Sequence, residues 1–403
     1  MPSIIVLNAG SSSIKFASHL PTAAPQVPTA LLHGQLAWHE GALTLRAQAA
    51  DGRVLIDEQQ PGGHQFDADQ ALAWLMRWLS QHEHDTELGG GVAAVGHRVV
   101  HGGAHHRAPV RVTPAVLAEL DALCPLAPLH QPHNLAAIRA VAALHPELPQ
   151  VACFDTAFHA DQPWVEQALA LPRALTAQGV RRYGFHGLSY AWIARQLPAL
   201  LGARAEGRVI VAHLGSGASL CALHGRRSVG STMGFSALDG LMMGTRCGSL
   251  DPGVLLYLMQ SQGLDAAALT RLLYKESGLL GVSGLSADMA ALLASPAPEA
   301  QEAVALFNHR VVREVGALTA VLGGLDALVF TAGIGEHAAP VRAAVVQALG
   351  WLGLQLDAEA NARHATVISP PGSRVSVLVV PTNEEAMLAL HTRDLLAADG
   401  TLR

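Results

Sequence analysis

Apolar residues follow two kinds of spacing along this chain. Over residues 3 to about 60 they alternate with polar ones, which predicts strands with breaks near 21–25 and 51–52. Helical spacing, with apolar residues three or four apart, is found in the segments 68–82, 114–123, 134–144 and 299–322. Further strands are predicted at 94–100, 149–154, 327–330 and 375–380, and a last helix follows. Strands that alternate with helices are typical of an α/β protein.

Two segments about 200 residues apart share an apolar run, a Gly-Ser turn and a second apolar run. The first covers residues 4–17 with the turn 10–13, and the second covers residues 209–222 with the turn 215–217. Each predicts a β-hairpin, whereas most phosphate loops lead from a strand into a helix. Glycine N–H groups and serine hydroxyls at a hairpin tip suit phosphate oxygens. One such turn is ordinary, but two predict a duplicated fold with phosphates held between its halves.

Length and composition limit the function classes. The chain has 403 residues, enough for two or three domains. We expect two, 1–150 and 151–385, with a final helix at about 386–403 that packs back on the first. The net charge of -6 without a basic block argues against nucleic acid, and no apolar run reaches the roughly 18 residues of a membrane span. We expect no signal peptide. Four scattered cysteines predict reduced thiols and a cytoplasmic protein.

Charged residues in glycine-rich turns suggest anion chemistry. Arg98 lies in GHRVVHGG and Arg246 in GLMMGTRCG, where small neighbours let a carboxylate or phosphate approach the guanidinium. Asp155 follows a buried strand in CFDTAFH, and His186 lies in YGFHGLSY. Taken singly, an arginine of this kind is more often a surface ion-pair partner, and an aspartate at a strand end more often caps a turn.

Oxygen ligands and a second glycine motif complete the candidates. Asn8 and Glu384 follow predicted strands and are oxygen ligands of the type that hydrated Mg²⁺ prefers. The 21 histidines form no HExxH or other metal-ligand spacing. Residues 333–335 (GIG) precede a predicted helix, which suits a nucleotide, although a lone GxG is a weak signal.

Together these stretches closely resemble the acetate kinase family. The resemblance covers nearly the whole chain, and its motifs are NAGSSSIKF (8–16), GHRVVHGG (96–103), LAPLH (126–130), FDTAFH (154–159), RRYGFHG (181–187), AHLGSGAS (212–219), MGF (233–235), GLMMGTR (240–246), FTAGIGE (330–336) and PTNEE (381–385). It implies an α/β fold of duplicated actin-like ATPase (ribonuclease H-like) domains with a central cleft. It also implies a reversible ATP–carboxylate phosphotransferase that forms an acyl phosphate, and a homodimer.

The resemblance assigns roles residue by residue. The catalytic residues would be Asp155, His186 and Arg246. The residues that bind the small carboxylic acid would be Arg98, Val100, Leu129, Phe185 and Ala237. ATP or ADP would contact Lys15, Ser11, Ser13, His213, Leu214, Gly215, Ser216, Gly217, Asp288, Met289, Ala290, Gly333, Ile334, Gly335, Glu336 and His337, with 213–217 as a phosphate loop and 333–337 as a loop along the adenosine. Asn8 and Glu384 would position Mg²⁺, with Glu385 as the rival of Glu384 and Mn²⁺ as an alternative ion.

Elementary chemistry agrees with that reaction. An acetate-like acid has a pKa near 4.3, so it is already the nucleophile at pH 7 and needs no strong base. The difficulty is repulsion between two anions, so catalysis should consist of charge screening and in-line positioning. Asp155 would then orient the substrate and the cationic groups.

Several positions depart from the family pattern. On the nucleotide side these are Ser216, Ala290 and His337, where the family has Asn, Arg and Asn, and on the acyl side Ala237 stands for Pro. Tyr190, Leu188 and Ser249 replace His, Thr and Asp. Nucleotide selectivity and acyl chain length therefore stay open. The alternatives are a propionate or butyrate kinase, a non-catalytic ATP-binding switch of the actin/Hsp70 type, and a sugar kinase with Asp155 as base.

Overall fold

The computed structural model describes residues 2–10, 13–39, 42–61, 68–82 and 90–402. The strands are β1 (Ser3–Ala9), β2 (Ser13–Leu20), β3 (Thr29–His39), β4 (Ala42–Ala49), β5 (Val54–Pro61), β6 (Val92–Val99), β7 (Val110–Arg111), β8 (Gln150–Phe154), β9 (Arg208–Leu214), β10 (Ala218–His224), β11 (Arg227–Ser231), β12 (Ala327–Thr331) and β13 (Ser376–Val379). The α-helices are α1 (Ala68–Gln81), α2 (Pro114–Ala122), α3 (Gln131–Leu144), α4 (Trp164–Gln167), α5 (Arg173–Ala177), α6 (Gly187–Leu201), α7 (Pro252–Gln260), α8 (Ala266–Lys275), α9 (Gly278–Ser283), α10 (Met289–Ala294), α11 (Pro298–Leu322), α12 (Ala332–His337), α13 (Ala339–Ala348), α14 (Ala358–Ala362) and α15 (Glu384–Ala398).

The chain divides into two compact units. Unit 1 comprises residues 1–158 and 383–403, and unit 2 comprises residues 159–382. Unit 1 contains one sheet in the order β5-β4-β3-β2-β1-β6-β8-β7. Strands β1 to β5 form an antiparallel meander, whereas β6 is parallel to β1, and β8 is parallel to β6.

The core of unit 1 explains why its central strand is apolar on both faces. Ile5 and Leu7 of β1 lie in a buried cluster with residues of α1 and α3, while α15 also packs against β1 and β6. The close approach of α15 requires a glycine at position 96, because a Cβ there would lie 2.3 Å from Oγ1 of Thr392. The C-terminal end of β6, where Arg98 lies, is held in place by this packing.

Unit 2 contains a sheet in the order β11-β10-β9-β12-β13. Strands β9, β10 and β11 are antiparallel, and β12 and β13 continue the sheet in parallel with β9. Helix α11 packs against β9, β10 and β11 through its buried side. It ends at Gly323 in the left-handed conformation, as the sequence predicts for a glycine C-cap.

The two sheets share one five-stranded topology. In unit 1 the order β3-β2-β1-β6-β8 has the same sequence of antiparallel and parallel pairs as β11-β10-β9-β12-β13 in unit 2. The central strand of each set is the first strand of a predicted Gly-Ser hairpin, β1–β2 or β9–β10. The prediction of two hairpins in a duplicated fold is therefore confirmed.

Some sequence predictions were wrong in detail. Residues 333–337 are not a loop, because they belong to helix α12, which begins directly after β12. His213 and Leu214 belong to strand β9, so the turn itself is only 215–217. The sequence also missed β7, β11 and the short helices of unit 2, since segments of two to six residues show no full period of either pattern.

Two further observations concern the whole described chain. All four cysteines are free thiols, as expected. Among the described residues, no helix is long and apolar enough to cross a membrane.

Candidate active site

Three polar residues of unit 1 meet at the ends of parallel strands. Asn8 lies near the end of β1, Arg98 near the end of β6, and Asp155 directly after β8. Because β1, β6 and β8 are parallel neighbours, their C-terminal ends lie at the same edge of the sheet. The Asp155 amide continues this arrangement by donating to the Val99 carbonyl, at 3.2 Å.

Arg98 is bound to both of these partners. Its Nε and Nη2 atoms donate to the two carboxylate oxygens of Asp155, at 3.0 and 2.5 Å, and Nη1 donates to Oδ1 of Asn8 at 3.1 Å. Asp155 is 1% exposed, and the Arg98 side chain is 20% exposed. Burial by itself would lower the pKa of Arg98, but the Asp155 carboxylate more than reverses this and raises it. The result is a permanent cation, held by a two-point bond at the rim of the sheet.

Glu384 belongs to the same charged group. It opens helix α15, whose N-cap is Asn383. Burial raises the pKa of the Glu384 carboxyl above its ordinary value, Arg98 opposes this shift, and the neighbouring Asp155 adds to it. The structure therefore brings Asn8, Arg98, Asp155 and Glu384 into one electrostatic cluster.

The donor set of this cluster fits a hard cation. Asn8 and Glu384 offer an amide and a carboxylate oxygen, and a bound cation would oppose the effect of burial, which raises the pKa of the Glu384 carboxyl. Within the described ranges, no group of three histidine, cysteine, aspartate or glutamate side chains is placed to hold a metal ion. A site of one amide and one carboxylate is typical of Mg²⁺, which keeps several waters and binds substrate phosphates.

The other unit 1 candidates differ in their exposure. Lys15 is exposed and, together with Glu385, lines a cavity of about 410 Å³. Val100 is buried, and Leu129 is half-buried. Ser13 opens β2, and its carbonyl accepts from the Gly10 amide at 2.8 Å, which closes the first hairpin. Ser11 lies outside the described residues.

Sequence reasoning missed Asn134 in this unit. Its Oδ1 accepts from the Val100 amide at 3.0 Å, and its Nδ2 donates to the Ala9 carbonyl at 2.7 Å. The buried amide therefore ties the end of β1 to the chain that follows β6. Helix α3 begins at Gln131 rather than at 134, which places Asn134 in its first turn. Nothing in the sequence singles out this position, because an asparagine near a helix start is usually interpreted as a cap.

The candidates of unit 2 centre on two stacked imidazole rings. His186 precedes α6 with φ of 58°, and His213 lies in β9. Their ring centroids are 4.2 Å apart at an interplanar angle of 20°. Nδ1 of His186 is 2.8 Å from Oγ of Ser219 in β10, and Nδ1 of His213 is 2.8 Å from Oγ of Ser189 in α6. The His186 ring is thus hydrogen-bonded to a serine of β10, and the His213 ring to a serine of α6.

Arg246 lies beside this pair, at the turn of the second hairpin. A Cβ at position 217 would be 2.5 Å from Nη2 of Arg246 and 3.3 Å from Nε2 of His186, so any larger residue there would displace the guanidinium. Nη1 of Arg246 donates to the carbonyl of Ala237 at 2.6 Å. The Ser216 carbonyl in the same turn accepts from the Gly244 amide at 3.1 Å. The structure brings together His186, His213, Gly217, Ala237 and Arg246.

Several predicted nucleotide residues have structural roles. Oε1 of Glu336 accepts from the amides of Ala332 and Thr382, at 2.8 and 3.1 Å, and so joins the starts of α12 and of the segment after β13. Asp288 is the N-cap of α10 and accepts from the Ala291 amide at 2.8 Å. These bonds explain both acidic residues without a nucleotide.

The remaining nucleotide candidates are spread along the same elements. Met289 is buried, whereas Ala290, Gly333 and His337 are exposed; Ile334 is half-buried, and Gly335 is buried.

Phe185, a candidate for the acyl site, is buried, and its carbonyl contacts Nε2 of His159 at 2.9 Å.

Arg342 is a second residue that the sequence did not reveal. It is fully buried in α13, and its Nη1 donates to the carbonyls of Gly335 and Glu336, at 2.9 and 2.7 Å, near the C-terminal end of α12. Nε and Nη2 donate to the side chain and the carbonyl of Asn361. Burial lowers the pKa of Arg342. An arginine within an apolar helical pattern is ordinarily interpreted as exposed, so its anchoring of α12 comes from the tertiary structure alone.

The comparisons with known proteins agree with one another. The model of the acetokinase family matches residues 3–390. An acetate kinase of Rhodopseudomonas palustris is 54% identical over 98% of this chain and 98% of its own length. A crystal structure of a propionate kinase from Francisella tularensis has a TM-score of 0.88 at 35% identity, and covers 97% of this chain and 99% of its own. The acetate kinase structure of Porphyromonas gingivalis has a TM-score of 0.85 at 35% identity, and covers 98% and 100%. These matches confirm the resemblance and the actin-like α/β fold that the motifs predict.

Proposed function

Because this chain belongs to the acetokinase family, we propose that it is an acetate kinase that transfers the γ-phosphoryl group of ATP directly to acetate, reversibly and with Mg²⁺. Family membership confirms the predicted enzyme class, a kinase of the acetate kinase type. The products are acetyl phosphate and ADP, formed in line without a covalent enzyme intermediate.

The observation that carries this proposal is the Arg98–Asp155 pair with Asn8. Asp155 and Asn8 use three of the five N–H groups of the guanidinium, which leaves two for a substrate carboxylate. An arginine held rigidly by a buried aspartate binds an anion at a small entropic cost. Asp155 therefore orients Arg98, and a proton acceptor is not required because acetate is already ionised. Val100, Leu129, Phe185 and Ala237 are proposed to surround the acyl group.

The cluster of unit 2 supports the phosphoryl half of the reaction. Nε2 of His186 and Nη2 of Arg246 lie at the glycine turn 215–217, where the backbone can approach phosphate oxygens closely. Charge that develops on the transferring group would be stabilised by N–H donors fixed at these positions. We propose that Lys15, Ser11, Ser13 and residues 213–217 contact the phosphates, and that residues 288–290 and 333–337 lie on the nucleoside side.

The metal proposal concerns Asn8 and Glu384, with Glu385 as the rival. Mg²⁺ bound there would neutralise phosphate charge and orient the ATP phosphates. The residues of this chain supply the oxygen ligands, and Lys15 adds a nearby positive charge. Acyl phosphate formation should stop when EDTA removes divalent ions, and should return with Mg²⁺ or Mn²⁺.

Three further proposals concern the whole protein. The two domains should correspond to 1–150 with the final helix, and 151–385, and the protein should be cytoplasmic. A homodimer is supported by α7, which exposes the apolar side chains of Val254, Leu256, Tyr257 and Met259 to between 39% and 55%. Sedimentation of the wild type and of Leu256→Glu would test the dimer, because a charge in an apolar interface should produce monomers.

A second candidate substrate is propionate. Ala237 has a smaller side chain than the proline of the family pattern, and the propionate kinase structure from Francisella tularensis is as similar in sequence as the acetate kinase structure. One additional buried methylene contributes about 0.8 kcal/mol, so the two acids should differ in kcat/KM by no more than about tenfold.

The experiment is trapping of acyl phosphate by hydroxylamine, with ATP, Mg²⁺ and a panel of acids. We expect the strongest signal with acetate or propionate, and a loss of about 10²-fold or more in kcat/KM for Arg246→Ala. The control is Arg310→Ala, which removes a cation of the same unit from the middle of helix α11, outside the proposed site. ATP binding without acyl phosphate from any acid would favour the non-catalytic ATP-binding switch of the actin/Hsp70 type. Phosphorylation of a sugar would favour a sugar kinase with Asp155 as base.

A further inference from the structure

Each of the two stacked imidazoles of unit 2 is hydrogen-bonded to a serine hydroxyl, and we call each of these bonds a hydroxyl relay. His186 bonds to Ser219, and His213 bonds to Ser189, each through Nδ1 at 2.8 Å. In the register of the second hairpin, Ser219 lies directly opposite His213. One relay therefore runs from the start of α6 to the sheet, and the other runs from the sheet back to α6.

Each of these serines contacts a second hydroxyl. The Tyr190 hydroxyl lies 2.5 Å from Oγ of Ser219, and Oγ1 of Thr382 donates to Oγ of Ser189 at 2.8 Å. Tyr190, Ser219 and Ser189 are 0% exposed. Because solvent does not reach these three side chains, the positions of their protons are set by the protein.

A serine hydroxyl between two polar neighbours can accept from one of them and donate to the other. Burial raises the pKa of Tyr190, so its phenol keeps its proton, and we assign that proton to the bond with Ser219. The single hydroxyl proton of Ser219 is then donated to Nδ1 of His186. A neutral imidazole that accepts at Nδ1 carries its own proton on Nε2.

Nε2 is the ring atom that lies at the glycine turn. A Cβ at position 217 would be 3.3 Å from Nε2 of His186, and the Nη2 atom of Arg246 lies on the same side of that glycine. A neutral N–H donor at this place adds a hydrogen bond for a phosphoryl oxygen without a second positive charge beside the guanidinium.

We propose that Tyr190 is a positioning residue, which acts through Ser219 to hold His186 in the tautomer that presents an N–H group at the turn. This inference rests on the phosphoryl-binding function proposed for His186. The family pattern has histidine at position 190, so the phenol relay belongs to this sequence.

A purely structural role for Tyr190 makes different predictions. Tyr190 is also a large buried side chain, and its ring contributes to packing whether or not the hydroxyl has a function. Tyr190→Phe removes the hydroxyl and keeps the ring. Tyr183→Phe is the matched control, because Tyr183 is a buried tyrosine of the same unit whose hydroxyl donates to the Gly179 carbonyl, at 2.7 Å.

The first measurement separates kcat from KM in the acetate assay. Tyr190→Phe should lower kcat about tenfold, and Ser219→Ala about 10²-fold, because a misplaced donor loses transition-state stabilisation. KM for acetate and for ATP should stay within about twofold in both variants. Tyr183→Phe should keep the wild-type kcat. An unchanged kcat in Tyr190→Phe, or an equal loss in Tyr183→Phe, would overturn the proposal.

The second measurement observes the tautomer directly. In protein labelled with ¹⁵N-histidine, the signals of His186 are identified by their absence in His186→Asn. Wild type should show a protonated Nε2 and an accepting Nδ1, and Ser219→Ala should shift this population towards the other tautomer. A wild-type His186 that carries its proton on Nδ1 would refute the proposal even if every variant failed to fold. If wild type makes no acyl phosphate, the proposed function fails, while this spectrum still decides the tautomer.

Discussion

The two units hold their polar clusters by different forces. In unit 1 the central bond joins two opposite charges, the half-buried Arg98 and the buried Asp155. In unit 2 the histidines are held by uncharged hydroxyls, Ser219 and Ser189. Removal of one member of a buried ion pair leaves an uncompensated charge, whereas removal of a hydroxyl leaves an imidazole that can stay neutral. Substitutions in unit 1 should therefore affect stability and activity together, and substitutions in unit 2 should affect mainly activity.

The largest effect should come from Arg98→Ala. It should lower kcat/KM by about 10²-fold or more, and lower the free energy of unfolding by about 3 kcal/mol, because the buried Asp155 carboxylate loses its cation. Steady-state kinetics and urea unfolding measure the two quantities. Arg139→Ala is the control, since Arg139 forms an exposed ion pair with Asp121 in the same unit. If Arg98→Ala were as stable as the wild type, substitutions in unit 1 would not affect stability more than those in unit 2, and the comparison would fail.

A smaller effect is expected for Ser189→Ala in unit 2. It should lower kcat/KM about tenfold, because His213 loses the hydroxyl that orients it, and the free energy of unfolding should fall by only about 1 kcal/mol. The same two assays apply. If this variant unfolds as easily as Arg98→Ala, the hydroxyl relay is as important to stability as the ion pair.

A less buried ion pair of unit 2 tests whether burial is the cause of the difference. Asp326 accepts from Nε and Nη2 of Arg208, at 3.0 and 2.8 Å, and these hydrogen bonds lower the pKa of Asp326 to about 2. A lowered pKa stabilises the folded state above pH 4, and this contribution disappears as the pH falls towards 2. Asp326→Asn should change the folding equilibrium constant by about fivefold or less at pH 7, and by less at pH 3. Urea unfolding at both pH values measures it, and a loss as large as that of Arg98→Ala would contradict the role of burial.

The smallest effect concerns Ala237, whose carbonyl accepts a hydrogen bond from Arg246. Ala237→Pro keeps the carbonyl to which Arg246 donates and adds ring carbons to the proposed acyl wall. The ratio of kcat/KM for propionate to that for acetate should fall about fourfold, the value of one buried methylene. Competition assays with both acids measure the ratio in the folded variant. An unchanged ratio would place the acyl wall elsewhere.

Much of the fold could be predicted because it depends on local patterns. The two Gly-Ser hairpins, helix α11 and its Gly323 cap follow from periodicity and from the conformational freedom of glycine. Helix α12 could not, because six residues with two glycines form a helix only where Arg342 and Glu336 bond to its backbone.

The candidate site divides in the same way. The sequence by itself determined which residue types stand after which strands, and so it predicted Arg98, Asp155, His186 and Arg246 as candidates. Only the tertiary structure decided the partners: Asp155 and Asn8 for Arg98, and Ser219 and then Tyr190 for His186. These pairs are separated by many residues along the chain, and their contact depends on strand order and helix packing, which no local pattern specifies. The hydrogen-bond partners and the charge of the candidate site are therefore determined only when the chain is folded.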